Sequence, residues 1–221
     1  MTARKNVPAE VREVLVAAIQ NTALEESKKI LENLEKSSKT PEIEVFGAMR
    51  ALAGDEEEEV LAIIDCGAKT NKLYITEAGF LHKIHRVQAG GSLATKRVAE
   101  LLSLGFGEAE NIKRNFQPGT PQAADIKKAV LSTYERTLQE FKRVLGEYEQ
   151  LSGVAITRVV LTGGTVAFPE FASFVSYTLD RPVMIADPFS KITYPSFMED
   201  TIREIGPAFS VALGAALRHF E

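Results

Sequence analysis

The sequence predicts an α/β fold, a mixed sheet with flanking helices, on three observations. Residues 60–65 and 156–161 are apolar, β-branched runs that each enter a tight turn of small residues. The first turn reads Asp65-Cys66-Gly67-Ala68-Lys69-Thr70 and the second Thr162-Gly163-Gly164-Thr165. Residues 73–77 and 80–87 are two further strand-like runs, separated by the hairpin signal Ala78-Gly79. The last third of the chain alternates strand, helix, strand and helix. Glycine has no Cβ to block a ligand or forbid a positive φ, so two such turns on one sheet point to a nucleotide cleft.

Taken in order, residues 10–20 carry a dense apolar run rich in β-branched side chains and read as a strand before Asn21-Thr22, a helix cap. A helix over about 23–37 sets Leu24, Ile30, Leu31 and Leu34 against Glu25, Glu26, Lys28 and Lys29. A short strand and a helix over 45–52 follow Pro41. The acidic run over 55–59 resists burial and marks a boundary. Past the hairpin, Gly90-Gly91 opens a helix over 92–103, and residues 106–115 form another. Residues 122–150 read as one long helix, because Ile126, Val130, Tyr134, Leu138, Phe141, Leu145 and Tyr148 recur every three or four positions. A strand over 156–161, a helix over 169–179, a strand over 183–185, a proline-bearing loop and a small-residue helix over 208–218 complete the chain. The expected divisions are residues 1–54, residues 55–205 with a helical insertion over 106–152, and residues 206–221.

A chain of 221 residues buries about 70% of its extended surface on folding, so a substantial core is expected. Its 45% hydrophobic and 25% charged residues are those of a globular protein. A net charge of -4 provides no attraction for phosphate backbones, which sets nucleic acid aside. No apolar run approaches the ~20 residues that span a bilayer, and no charged-then-apolar leader opens the sequence, so a cytosolic location is expected. The single cysteine, Cys66, has no internal disulfide partner and reads as a small buried residue at a strand end.

The Asp65-x-Gly67-x-x-Thr70 turn, the Gly90-Gly91 pair and the later Gly163-Gly164 turn, in this order, resemble the second half of the actin/Hsp70 nucleotide-binding fold, an actin-like ATPase fold of the RNase H-like kind. The resemblance implies that backbone amides around Gly67 and the Thr70 hydroxyl lie near the terminal phosphates of ATP, with Asp65 near the water shell of Mg2+, an oxygen-seeking ion. It places Gly90 and Gly91 in the same nucleotide site and Gly163, Gly164 and Thr165 behind the adenosine. The segment 108–114, Glu-Ala-Glu-Asn-Ile-Lys-Arg, is similar to the superfamily helix whose Glu and Lys hold the ribose and whose next Arg lies by the base. That assigns the ribose to Glu110 and Lys113, which share a helix face, and the base to Arg114.

The ending, Pro182-Val183 through Ile185-Ala186-Asp187-Pro188-Phe189 and then residues 207–218, most resembles the PilM family of type IV pilus assembly proteins. Membership implies a cytoplasmic scaffold, peripheral at the inner membrane, that binds ATP and the cytoplasmic tail of a PilN-type membrane partner. The superfamily's first phosphate loop has no counterpart, since no Asp precedes Asp55, so half of the phosphate clamp is expected and turnover is at most weak. The chain is expected to be a fragment or a shortened relative. Its final helix, with Phe209, Val211, Leu213 and Leu217, is expected to lack a packing surface and to favour self-association. Two competing readings are an FtsA-like division protein and an actin-fold kinase or ATPase. The first family ends in a basic amphipathic membrane helix where this sequence closes on Arg218-His219-Phe220-Glu221, and the second needs the first phosphate loop.

Other chemistry is weakly signalled. His82 and His85, three apart on a strand, point to opposite faces unless a bulge intervenes, which argues against a shared metal. Gly90 to Lys96 lacks the Gly-Lys-Ser/Thr ending of a P-loop, and no Gly-x-Ser-x-Gly elbow occurs.

Overall fold

Alternation along the strands decides which way each side chain of the sheet faces, and in the computed structural model, which describes residues 18–33, 42–54 and 59–220, both faces are covered. The chain divides into two units, Met1–Pro41 and Glu42–Glu221. In the first, helix α1 (Asn21–Asn33) begins at the expected cap. The strand expected over 10–20 lies outside the described residues except at 18–20, which form no regular element.

The second unit holds a five-stranded sheet in the order β3-β2-β1-β4-β5. It comprises β1 (Val60–Cys66), β2 (Asn71–Glu77), β3 (Phe80–Val87), β4 (Arg158–Thr162) and β5 (Met184–Ile185). β1 pairs antiparallel with β2 and parallel with β4, which makes the sheet mixed, as the sequence predicts. The helices are α2 (Glu44–Leu52), α3 (Gly91–Leu102), α4 (Phe106–Arg114), α5 (Ala123–Ser132), α6 (Glu135–Ser152), α7 (Phe171–Leu179), α8 (Glu199–Ile205) and α9 (Ser210–Leu217).

Val60, Ala62, Ile64 and Cys66 of β1 face the larger core, where they meet Ala94 and Val98 of α3, Leu138, Phe141 and Leu145 of α6, and Phe171 and Val175 of α7. Leu61 and Ile63 face the opposite way, against Val45, Met49 and Leu52 of α2. The segment expected as an insertion, 106–152, therefore supplies much of the main core. α2, grouped in the sequence reading with the residues before the acidic run, packs on the sheet.

Four further differences have physical causes. The long helix expected over 122–150 breaks at Thr133-Tyr134. There the Thr133 and Tyr134 amides donate to Val130 and Leu131, three residues back, and the Thr133 hydroxyl donates to the Ala129 carbonyl at 2.8 Å. Such tight bonds and side-chain competition end the α-helical ladder. The short strand expected after Pro41 is absent from residues 42–43, which lead directly into α2. The proline-bearing loop contains α8, whose seven residues lack a clear apolar period. Finally, α9 has a surface to pack on: it lies against α2, with Gly47 and Gly214 in contact. A Cβ on Gly47 would come 2.8 Å from the Val211 carbonyl, and one on Gly214 would overlap the Gly47 carbonyl.

Candidate nucleotide site

β1 and β4 run parallel, so their C-terminal turns emerge at the same end of the sheet. The Gly67–Thr70 turn closes with the Gly67 amide donating to the Thr70 carbonyl at 3.2 Å. The start of α3 rests on this turn, with the Gly91 amide donating to the Gly67 carbonyl at 3.0 Å and the Ser92 amide to the Ala68 carbonyl at 2.8 Å. A Cβ at Gly90 would sit 2.5 Å from the Gly67 oxygen. Gly163 has φ +95, and a Cβ there would sit 2.5 Å from the Cys66 carbonyl and 2.8 Å from Asp65 Oδ1. Gly90 and Gly163 are thus glycines because three turns stack on one another. The amides of Gly67, Gly91 and Gly163 are already donated to protein carbonyls, Gly163 to Pro207 at 2.9 Å.

Beside this stack, α4 presents the predicted trio. Lys113 Nζ donates to Glu110 Oε2 at 2.7 Å, to Thr95 Oγ1 at 2.8 Å and to the Gly91 carbonyl at 3.1 Å. Arg114 Nε donates to Glu110 Oε1 at 2.7 Å, while its side chain is 76% exposed. Burial opposes ionisation of Glu110, but hydrogen bonds from Lys113, Thr95 and Arg114 outweigh it and hold the carboxyl down at about 2. The Thr165 hydroxyl is 2.9 Å from the buried Tyr134 hydroxyl, and a Cβ on Gly91 would lie 3.5 Å from Lys113 Nζ and 3.7 Å from Thr165 Oγ1. The structure therefore brings Gly67, Gly90, Gly91, Lys113, Glu110 and Thr165 together, with Arg114 extending from the edge.

Asp65 lies on the other side of β1. Its strand partner Lys72 shares that face and places Nζ 3.5 Å from Asp65 Oδ2 and 2.6 Å from Glu44 Oε1, on the first turn of α2. Tyr74 reaches the same Glu44 oxygen at 3.5 Å. Burial pushes the Asp65 carboxyl up, and the Lys72 charge pulls it only part of the way back. This donor set fits a divalent cation poorly. Two unit charges 4 Å apart interact by about 4 kcal/mol at an effective dielectric near 20, and a dication facing the ammonium would meet repulsion of twice that order. Among the described residues, no group of three or more His, Cys, Asp or Glu is arranged to hold a metal ion.

Comparison with known proteins decides the family: the family described as type IV pilus assembly protein PilM matches residues 1–220. The chain belongs to the PilM family. Its fold is that of the actin-like ATPases. It is similar to a chain of the PilM-PilN type IV pilus biogenesis complex, with TM-score 0.79 and 22% identity over 91% of this chain and 59% of that one. It also resembles MreB5 of Spiroplasma citri bound to ADP, with TM-score 0.65 and 12% identity over 91% of this chain and 66% of that one. Among curated proteins, it is 25% identical to the cell division protein FtsA of Bacillus subtilis (strain 168), over 81% of this chain and 48% of that protein. It is 26% identical to FtsA of Rhizobium meliloti (strain 1021), over 90% and 51%. The chain thus spans about half the length of these curated relatives.

Four residues of this PilM-family site escaped the sequence reading. Thr95 carries no motif of its own, and Tyr134 belongs to the apolar stripe over 122–150, where it is buried in the main core while its hydroxyl meets Thr165. Lys72 and Glu44 had no motif, although strand pairing puts Lys72 directly opposite Asp65. The histidine argument is corrected by a β-bulge: Ile75 pairs with Lys83 and Thr76 with Leu81, leaving His82 as the extra residue. His82 and His85 consequently share a face, stacked edge-on against Tyr148 and Phe141 of α6. Hollows beside α7, at Tyr177 and Arg181, and between α2 and β5, about 210 Å³, lie away from the glycine turns. No helix among the described residues is long and apolar enough to cross a membrane.

Proposed function

We propose that this chain is the nucleotide-binding part of an actin-like scaffold in type IV pilus assembly, taking ATP at the stacked glycine turns as a conformational ligand. The family match supports the pilus role. The observation that carries the ligand is the cluster beside Gly91, where Glu110 and Lys113 are bonded to each other and to the start of α3, Arg114 extends exposed from the edge, and the neighbouring turns at Gly90 and Gly163 are too tight for a side chain. In this reading Glu110 and Lys113 hold the ribose, Arg114 covers the base, Gly163, Gly164 and Thr165 back the adenosine, and Thr70 and the Gly67 turn meet the phosphates. A structural relative solved with ADP lends the nucleotide class, and one solved as a PilM-PilN complex lends the partner. The chain then works in the cytoplasm, held at the inner membrane by the tail of a PilN-type protein. Residues 1–54 comprise part of a small partner-binding subdomain and the connecting helix α2, residues 55–205 the nucleotide-binding part and residues 206–221 a C-terminal helix, whose outer side offers a surface for self-association.

Calorimetric titration of ATP tests the site. Binding that weakens about tenfold or more, roughly 1.4 kcal/mol, in both Lys113→Ala and Glu110→Gln supports it. A folded chain that binds no ATP, or binds it equally in both variants, removes the nucleotide from the proposal and leaves a scaffold that acts through protein contacts.

A further inference from the structure

The carboxylate expected to face Mg2+ already has a cation. Lys72 reaches it from the adjacent strand, and its side chain is only 15% exposed. Three elements fix the ammonium: β2 supplies it, β1 presents Asp65 Oδ2 at 3.5 Å, and the first turn of α2 presents Glu44 Oε1 at 2.6 Å. The other carboxylate oxygen, Asp65 Oδ1, faces Gly163 of the second glycine turn, close enough that a Cβ there would come within 2.8 Å of it. Mg2+ demands near-octahedral oxygen ligands at about 2.1 Å and keeps several waters. On the Oδ2 side the Lys72 ammonium already takes that place, and the Asp65 side chain is only 14% exposed.

We propose that Lys72 is the resident cation at Asp65, so that this site takes its nucleotide without a divalent ion. A lysine ammonium is a compact point charge suited to phosphate oxygens. Lys72 stands two residues beyond Thr70, at the end of the turn where the terminal phosphates are placed. The proposal rests on the nucleotide reading above for its ligand, but its claim about the cation stands on Asp65, Lys72 and Glu44 alone.

The experiment has two arms, each with the wild type, Asp65→Asn, Lys72→Met, and Lys72→Met combined with Asp65→Asn, after circular dichroism has established that each variant is folded. The first titrates ATP in EDTA and in excess Mg2+. Wild-type affinity is expected to agree within ~threefold in the two buffers, whereas Lys72→Met loses about tenfold or more in EDTA and regains it with Mg2+. The second titrates Mn2+ alone, followed by water-proton relaxation. The wild type is expected to bind no Mn2+ at this place, Lys72→Met to gain a site between the two freed carboxylates, and the double variant to lose it.

Wild-type ATP binding that requires Mg2+ overturns the proposal, as does a wild-type Mn2+ site abolished by Asp65→Asn. If ATP binds in neither buffer, the nucleotide reading fails while the Mn2+ arm still decides whether Lys72 or a metal holds Asp65.

Discussion

The two faces of the sheet share their strands and differ in depth. On one face, α3, α5, α6 and α7 bury Tyr134, Phe141 and Phe171 against alternate residues of β1 and β2. On the other, α2 covers Leu61, Ile63, Tyr74 and Val160, and α9 packs on α2 through the Gly47–Gly214 contact. A thick apolar layer tolerates few unpaired charges. The thin one admits charge, with Asp65 and Lys72 largely buried in it and Glu44 half-exposed at the first turn of α2. The candidate site straddles both: the Glu110–Lys113 pair belongs to the thick side, the Asp65–Lys72 pair to the thin side. Their carboxylates are tuned in opposite directions because one is surrounded by hydrogen-bond donors and the other is mainly desolvated.

The largest effect should come from Phe141→Ala, which empties a fully buried position of the thick face and is expected to cost about 3–5 kcal/mol in urea unfolding. Met49→Ala on the thin face, at 7% exposure, is expected near the lower end for such changes, about 2 kcal/mol. Equal losses would erase the contrast in depth. Next, Gly214→Ala should force α9 off α2 and cost about 1–3 kcal/mol, the usual range for overpacking. An unchanged unfolding midpoint would mean that the two helices separate freely.

Smaller effects separate the two carboxylates. Glu110 is held at about 2 in the folded chain against an ordinary 4.5, so its contribution is fully present above pH 4.5 and is lost as pH falls from there toward 2. Thermal midpoints of Glu110→Gln should therefore vary less than the wild type's across that window. Asp65 has the opposite sign. Its folded form holds the proton more tightly than the ordinary value of 3.8, so stability present below that pH is lost as pH rises from 3.8 through the raised folded value. Asp65→Asn should remove that loss and raise the midpoint slightly at neutral pH. A drop instead would mean that the Lys72 pair contributes more than desolvation takes away.

What the amino-acid sequence determined by itself is local. Strand runs, the Ala78-Gly79 hairpin, the glycine turns and the Glu110-x-x-Lys113-Arg114 spacing were all legible, because each depends on residues a few positions apart. The resemblance to the actin/Hsp70 fold rested on those same motifs and the narrower one to PilM on residues 182–189 and 207–218, and the family match agrees with it. Tertiary structure decided the rest. Whether residues 122–150 form one helix or two turned on the competition at Thr133, and only packing brings the Tyr134 hydroxyl to Thr165. The face of His82 was fixed by a bulge opposite Ile75-Thr76, and the role of Gly214 by Gly47, far away in sequence. The cation at Asp65 was fixed the same way: a strand names the face its side chains take, but only sheet register and the placement of α2 set an ammonium between two carboxylates. Contacts between distant segments are chosen by how whole elements pack, and that choice is not encoded in any short stretch of chain.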